Sequence, residues 1–259
     1  MGPTRRERLQ VVVAISWGSQ SPSGPQARRM RAHTKETQAT MTPERALAFL
    51  EEGNGRFRQN LRLSRDLLQQ VNETREGQWP FATILSCIDS RTSAELIFDQ
   101  GLGDVFSIRV AGNVINEDIL GSMEFATKVA GSKLIVVLGH SSCGAIKGAV
   151  DHVQLGNLST LLNKIQPSVY VERATKEDRT SKNADFVDNV ARIQVRRSTE
   201  AIIERSTVIR ELVEAGQVGL VGAHHDLESG AVTFFRDTYM CGEIKHFYLD
   251  VPAGGEASV

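Results

Sequence analysis

The sequence predicts an α/β domain built on a mainly parallel sheet, and two kinds of segment support this prediction. Phe81–Cys87, Asp104–Val110 and Lys133–Gly139 are short apolar runs without alternation, which is typical of strands covered on both faces. Between the last two runs, Asp118–Val129 has apolar residues at helical spacing. Strands that alternate with helices indicate parallel pairing, with helices covering the sheet.

The second half of the chain continues this pattern and ends in a pair of strands. Gly144–Val153 is a predicted helix, and Ala184–Ala215 is a long helical region that is either continuous or broken. Val218–Ala223 and Ala231–Phe235 are predicted strands joined by a turn at residues 228–230. We expect this last pair to be antiparallel.

The segment before the first strand predicts an amphipathic helical arm over Thr42–Leu67. The Thr-Pro-Glu sequence at its start is typical of the beginning of a helix. Charged residues separate its apolar positions, which recur at helical spacing at Ala46, Leu47, Leu50, Phe57 and Leu61. Such an arm needs a surface on which to pack.

Residues 1–40 predict a disordered leader that precedes a single folded domain at residues 41–259. Three arginines near the start precede a short apolar run, Leu9–Trp17, which is the order found in a secretory signal. The apolar run is near the minimum length for a signal, however, and arginine-rich sequence follows it. We therefore expect a cytoplasmic protein, with export or organelle targeting by this segment as the alternative.

Composition and charge exclude several classes of protein. The chain has 30 basic and 31 acidic residues and a formal net charge of -1, so no overall field favours nucleic acid or an anionic membrane. No apolar run approaches the roughly 20 residues needed to span a bilayer. Three cysteines do not make a disulfide framework, which favours thiols with a chemical role. We expect no nucleic-acid or membrane partner.

Chemically reactive residues follow two of the predicted strands. Cys87 ends the first run, and His140 and Cys143 follow the third. Because open α/β sheets bind ligands at the carboxyl ends of their strands, we expect these three side chains to converge. Two thiolates and one imidazole form a zinc site whose fourth position stays open, as in catalytic centres. The alternatives are a buried structural cysteine, a hydrogen-bonded turn histidine and a redox disulfide between the two cysteines.

Asp89 and Arg91 form a second candidate element beside Cys87. Two residues apart in a loop, their side chains can meet as a bidentate ion pair. The pair is either an ordinary surface salt bridge or a device that orients the Asp89 carboxylate beside the metal. If Asp89 swings away from Arg91, it becomes a possible fourth metal ligand that would block catalysis.

Two short motifs resemble the zinc-binding signatures of one enzyme family, the β-class carbonic anhydrases. They are CIDSR at 87–91 and HSSC at 140–143, and the segments 106–113 and 143–147 resemble the same family. The resemblance extends from about Pro43 to Asp250. It implies a Rossmann-like sheet of four parallel strands plus an antiparallel edge strand. It also implies N-terminal helices that embrace a neighbouring subunit in a homodimer or homotetramer.

The resemblance also implies the activity and the cofactor. The family hydrates carbon dioxide reversibly to bicarbonate and a proton through zinc-bound hydroxide, so zinc is the expected cofactor. A related zinc hydrolase of a sulfur analogue such as carbon disulfide is the alternative. The sequence before Cys87 resembles the plant-like, directly active subgroup.

Individual site residues follow from the same motif positions. The resemblance makes Cys87, His140 and Cys143 the zinc ligands, with Asp89 and Arg91 as the catalytic dyad. It also implies four residues that contact substrate. Gln78 would form a hydrogen bond with substrate, Phe106 and Phe125 would form an apolar wall, and Gly144 would donate its backbone N–H.

Overall fold

One five-stranded sheet forms the centre of the molecule. A computed structural model describes residues 31–246 of the chain. The strand order is β2-β1-β3-β4-β5, in which the first four strands are parallel and the fifth is antiparallel to the fourth. This arrangement confirms the predicted four parallel strands with an antiparallel edge strand. The strands are β1 (Ala82–Ser86), β2 (Val105–Arg109), β3 (Leu134–His140), β4 (Gly219–His225) and β5 (Val232–Met240).

Helices flank the sheet and connect its strands. A 3₁₀ turn at Ala111–Asn113 follows β2. A π-helical turn at Phe125–Val129 continues the helix at Glu117–Glu124. The helices in residues 31–246 are α1 (Lys35–Ala39), α2 (Pro43–Arg58), α3 (Leu67–Glu73), α4 (Ala94–Ile97), α5 (Glu117–Glu124), α6 (Gly144–Val150), α7 (Gly156–Asn163), α8 (Gln166–Val171), α9 (Ala184–Arg205) and α10 (Thr207–Glu214). None of these helices has both the length and the apolar character needed to cross a bilayer.

The three inner strands β1, β3 and β4 are buried along their whole length, which confirms the prediction for β1 and β3. The prediction that β2 is covered on both faces is wrong, because β2 lies at the edge of the sheet and is partly exposed. Successive side chains of a strand point to opposite faces of the sheet. Leu85 and Val137 therefore join the core formed with α9 and α10, whereas Ile84 and Val136 join the core formed with α2. These two layers fix the sheet between its helices, so the carboxyl ends of the inner strands have defined positions.

The long helical region after residue 184 is broken at Ser206. This residue is extended, and its hydroxyl accepts a hydrogen bond of 3.1 Å from the backbone N–H of Ile209. Ser206 is therefore the N-cap of α10, which begins at Thr207. Of the two alternatives that the sequence left open, the broken helix is correct.

The N-terminal arm packs on its own chain. Helix α2 begins after the N-cap Thr42 but ends at Arg58, before the predicted end at Leu67, because Asn60 has a φ of 55° and turns the chain out of the helix. Leu47 and Leu50 of α2 are buried in the core beneath the sheet. One face of this helix is thus covered by its own chain, and the implied embrace of a neighbouring subunit stays a prediction.

The folded region begins before residue 41, where the sequence placed its start. Ala32 and Gln38 are buried, and the Gln38 amide donates hydrogen bonds to the carbonyls of Pro80 (2.7 Å) and Ala130 (2.9 Å). These bonds attach α1 to the loops at the amino ends of β1 and β3. The rest of the predicted leader, residues 1–30, lies outside the described residues.

A buried carboxylate attaches the loop after α2 to the body of the domain. Asp99 accepts hydrogen bonds from Arg56, Arg65 and the backbone N–H of Leu63. Burial alone would raise the pKa of Asp99, but the bonds from Arg56 and Arg65 outweigh it and lower that pKa. Asp99 is therefore ionised in the native state and holds two guanidinium groups.

We expect Asp99→Ala to lower the free energy of unfolding by about 3 to 5 kcal/mol, because it leaves two largely buried guanidinium groups without their partner. Urea denaturation checks this value. Glu52→Ala is the control, since Glu52 pairs with Arg45 on the exposed surface and should cost less than about 1 kcal/mol. Equal effects of the two substitutions would contradict the assignment.

Candidate metal centre

The three predicted ligands converge at the carboxyl edge of the sheet. Cys87 directly follows β1, His140 is the last residue of β3, and Cys143 is the N-cap residue of α6. Strands β1 and β3 are neighbours, with Ser86 paired to Leu138. The prediction of convergence is therefore confirmed, although Cys87 and Cys143 are 56 residues apart in sequence.

The geometry of the three side chains suits a metal ion. The Sγ atoms of Cys87 and Cys143 lie 4.0 Å apart, and these atoms and a His140 ring nitrogen all lie within 4.8 Å of one another. All three side chains are buried. His140 Nδ1 lies 2.9 Å from the carbonyl oxygen of Ser141, to which it donates its proton because a carbonyl only accepts.

His140 Nε2 is the nitrogen left for a ligand. It is buried and has no hydrogen-bond partner among residues 31–246. A buried ring nitrogen with a free lone pair, beside two thiols, fits a borderline-soft cation such as zinc. The bond from Nδ1 to Ser141 fixes the ring orientation, as the outer partners of metal-binding histidines commonly do.

The pKa values of the two thiols are shifted in opposite directions. The hydrogen bond from Cys143 lowers the pKa of the Cys87 thiol, and the Gly112 N–H assists against the opposing effect of burial, bringing that pKa to about 4. The Cys87 thiolate and burial together raise the pKa of Cys143. One sulfur is therefore a thiolate at neutral pH, and a thiolate is the form that binds metal.

Gly112 provides a backbone contact that the sequence analysis did not identify. Its N–H lies 3.4 Å from Cys87 Sγ. Gly112 has a φ of 64°, and a Cβ atom there would lie 2.6 Å from Cδ1 of Ile165. Glycine is thus required for this close approach. In the sequence, a glycine in the loop after a predicted strand was the signal that could have indicated a close backbone approach.

Asp89 and Arg91 form the predicted bidentate pair. Arg91 Nε donates to Asp89 Oδ1 at 2.9 Å, and Arg91 Nη2 donates to Oδ2 at 2.8 Å. The backbone N–H of Arg91 adds a third bond at 3.0 Å. These bonds from Arg91 lower the pKa of Asp89 despite its partial burial. The carboxylate is therefore ionised and held by Arg91, not turned toward the cysteines as a fourth ligand.

Gly144 is the only one of the four predicted substrate contacts that lies next to a ligand in the sequence. It follows Cys143 and is exposed, and no atom lies within 4 Å of the place where its Cβ would be. The space beside this residue is therefore open to a small molecule. Its predicted role as a backbone donor stays a prediction.

The other three predicted substrate contacts lie away from the ligands of the same chain. Gln78 is exposed and precedes β1, so it lies at the opposite end of that strand from Cys87. Phe106 pairs with Thr83, roughly 10 Å short of the carboxyl end of β2 at about 3.3 Å per residue. It faces Phe125 across a cleft, with ring centroids 6.4 Å apart. Their roles stay predictions.

Two histidines end β4 beside the cluster. His225 pairs with His140 in the sheet, and its burial lowers its pKa to about 4. His225 is therefore neutral near pH 7. His224 is also buried, with its Nε2 3.0 Å from Asp188 Oδ1. Burial opposes ionisation of Asp188, but hydrogen bonds from His224 and Arg192 lower its pKa to about 2.

A second contact that the sequence analysis did not identify involves the backbone of the Cys87–Arg91 loop. Arg109, the last residue of β2, donates hydrogen bonds to the carbonyl oxygens of Cys87 and Asp89. The buried hydroxyl of Thr92 contacts the same two oxygens. An arginine at the end of a strand carries no distinctive signal in one sequence.

Comparison with known proteins agrees with this geometry. The family model described as carbonic anhydrase matches residues 82–232, a range that includes all three candidate ligands. The chain is 39% identical to carbonic anhydrase 2 of Mycobacterium tuberculosis over 159 residues, covering 60% of this chain and 73% of that protein. It is 36% identical to a carbonic anhydrase of Mycolicibacterium smegmatis over 209 residues, covering 78% and 98%.

Solved structures share the fold. A tetrameric β-carbonic anhydrase of Sordaria macrospora superimposes with a TM-score of 0.58 at 24% identity, covering 64% of this chain and 85% of that chain. A β-carbonic anhydrase of Aspergillus fumigatus gives a TM-score of 0.57 at 23% identity, covering 74% and 90%. None of these relatives supports the alternative of a sulfur-analogue hydrolase. The extent of the family match and the identity to the mycobacterial enzymes show that this chain belongs to the β-class carbonic anhydrases, enzymes of reversible carbon dioxide hydration.

Proposed function

We propose that Cys87, His140 and Cys143 hold a zinc ion with which this chain interconverts carbon dioxide and bicarbonate. The observation that carries the proposal is the buried, unpartnered Nε2 of His140 beside two thiols. Zinc, when bound, supplies the Lewis acidity that makes water a nucleophile near neutral pH. The buried thiols and imidazole fix where that chemistry takes place.

Asp89 and Arg91 would orient the reacting water. An ionised carboxylate only accepts hydrogen bonds, so Asp89 would accept one from this water and direct its lone pair toward carbon dioxide. Arg91 holds both carboxylate oxygens, which restricts the rotation of Asp89. This geometry supports the directly active, plant-like state, in which Asp89 leaves the fourth metal position free.

The remaining substrate contacts would come from a second copy of the chain. Gln78, Phe106 and Phe125 lie away from Cys87 of their own chain, and Phe125 is 53% exposed. An exposed aromatic ring beside the edge strand β2 favours burial against another subunit. We therefore propose a homodimer or homotetramer in which these residues line the partner's site, while Gly144 offers its N–H to bicarbonate.

A cytoplasmic location agrees with the state of the cysteines. Cys87, Cys143 and Cys241 are all free thiols. Reduced thiols are typical of the cytosol, where disulfides are rare.

Replacing one ligand should remove the metal and the activity together. We expect Cys87→Ser to lose zinc and carbon dioxide hydration, measured by metal analysis and stopped flow on one preparation. Cys241→Ser is the matched control, because Cys241 contacts the Gly216 carbonyl, Tyr239 and Glu44 at the far end of the sheet from the candidate ligands, and it should keep both. Zinc retained with full hydration in Cys87→Ser would refute the proposed ligand set.

Removing the charge of Asp89 should separate catalysis from metal binding. We expect Asp89→Asn to keep zinc but to lower kcat by about 10²- to 10⁴-fold, since the reacting water loses its charged acceptor and Arg91 loses one of the two oxygens it holds. Asp237→Asn is the control, because Asp237 makes a similar bidentate pair with Arg196 on the edge strand β5. If both variants hydrated carbon dioxide equally well, the role of Asp89 would be wrong.

A charge at the proposed subunit contact should disrupt the assembly. We expect Phe125→Glu to shift the particle toward the monomer, measured by light scattering after gel filtration, with a parallel loss of hydration activity. Tyr170→Glu, which changes an exposed aromatic residue on α8, should leave the assembly intact. A wild-type chain that is monomeric and fully active would exclude shared sites.

A further inference from the structure

The loop that joins a metal ligand to the catalytic carboxylate is held by a residue of the neighbouring strand. Arg109 Nε donates to the Cys87 carbonyl at 3.0 Å, and Arg109 Nη2 donates to the same oxygen at 2.9 Å. Nη2 also donates to the Asp89 carbonyl at 2.6 Å. One guanidinium group therefore connects the two residues whose side chains perform the proposed chemistry.

Thr92 approaches the same two oxygens from within the loop. Its hydroxyl lies 3.3 Å from the Cys87 carbonyl oxygen and 3.0 Å from that of Asp89. Its backbone N–H donates to the Asp89 carbonyl as well, at 3.0 Å. Thr92 is 1% exposed, and its contact with the Cys87 carbonyl is buried, whereas the Asp89 carbonyl is partly open to solvent. Both carbonyls thus have donors from two directions.

These contacts differ from those of an ordinary surface arginine. Within residues 31–246, Arg109 is in no ion pair, and its hydrogen bonds go to backbone oxygens. Strand β2 pairs Arg109 with Ser86, the residue before Cys87, so the guanidinium reaches forward over the start of the loop. The segment from Cys87 to Arg91 belongs to no strand or helix. Its conformation therefore depends on such contacts.

We infer that Arg109, assisted by Thr92, is a positioning residue for the Cys87–Arg91 loop. It keeps Cys87 Sγ directed toward His140 and Cys143, the other two candidate ligands, and keeps the Asp89 carboxylate paired with Arg91. Without it, the backbone between residues 87 and 89 is free to rotate, and Asp89 moves relative to the metal. This inference rests on the proposed zinc function and adds a residue outside both signature motifs.

The test replaces zinc with cobalt(II), whose visible absorption reports the geometry and identity of its ligands. Arg109→Met removes the donors and keeps the aliphatic stem, and Arg109→Lys restores part of the donor capacity. Thr92→Val removes only the hydroxyl. Arg210→Met is the matched control, because Arg210 also donates to two backbone carbonyls, those of Ile203 and Glu204, next to α10.

We expect Arg109→Met to change the cobalt absorption, to release zinc faster to a chelator and to lower kcat by roughly 10- to 100-fold, the usual effect of losing an outer contact of a metal site. Arg109→Lys should recover part of each change, and Thr92→Val should produce a smaller change of the same kind. Arg210→Met should match the wild type. In an Asp89→Asn background with zinc held at saturation, so that weaker metal binding through Cys87 does not contribute, Arg109→Met should lower kcat little further, because Arg109 then acts through Asp89.

Two outcomes would overturn the inference, and they differ from failure of the proposed function. In the first, Arg109→Met keeps the wild-type cobalt spectrum and zinc-release rate, and its loss of activity matches its loss of folded protein in urea denaturation. Arg109 would then contribute to stability only. A full additional loss of kcat in the Asp89→Asn background would show that Arg109 acts independently of Asp89. If the wild type bound neither zinc nor cobalt, the proposed function itself would fail.

Discussion

The parallel pairing of β1 with β3 is the constraint on which the site depends. Their register places Ser86 beside Leu138, so Cys87 and His140 emerge at the same edge of the sheet. Both strands are buried along their whole length between two helical layers. Shifting one strand by a single residue would exchange the side chains that face the two helical layers, so the packing on both faces fixes this register. The positions of the ligands are therefore a consequence of the core.

Backbone groups then refine the positions that the sheet provides. The Ser141 carbonyl orients the His140 ring, the Gly112 N–H contacts Cys87 Sγ, and the carbonyls of Cys87 and Asp89 are held by Arg109. Such outer contacts restrict a site to one geometry, because each removes a rotation that the first ligands would otherwise retain. The proposed chemistry would thus rest on three side chains and one carboxylate, but their arrangement rests on a larger network.

A single chain does not bring every predicted contact to the metal cluster. Gln78 and Phe106 belong to segments that run toward the cluster from the amino ends of β1 and β2, whereas the ligands lie at the carboxyl ends. The exposed ring of Phe125 lies beside the same edge strand. An apolar surface in this position agrees with the proposal that a second copy of the chain completes the substrate pocket.

The sequence by itself determined the positions of the strands and the helical periodicity, because residue types and their order show which segments are apolar. It also identified the three side chains that converge, because cysteine and histidine follow the buried strands β1 and β3. It did not show that β2 is a partly exposed edge strand, since strand order depends on the whole sheet. It also determined the Asp89–Arg91 pair, since both partners lie within one short loop. Only the tertiary structure decided that α2 covers its own chain, that helical structure begins before residue 41, and that Arg109 and Thr92 hold the loop. These depend on contacts between segments distant in sequence, such as Gln38 with Ala130 and Arg109 with Cys87, and local patterns carry no information about which distant atoms will meet.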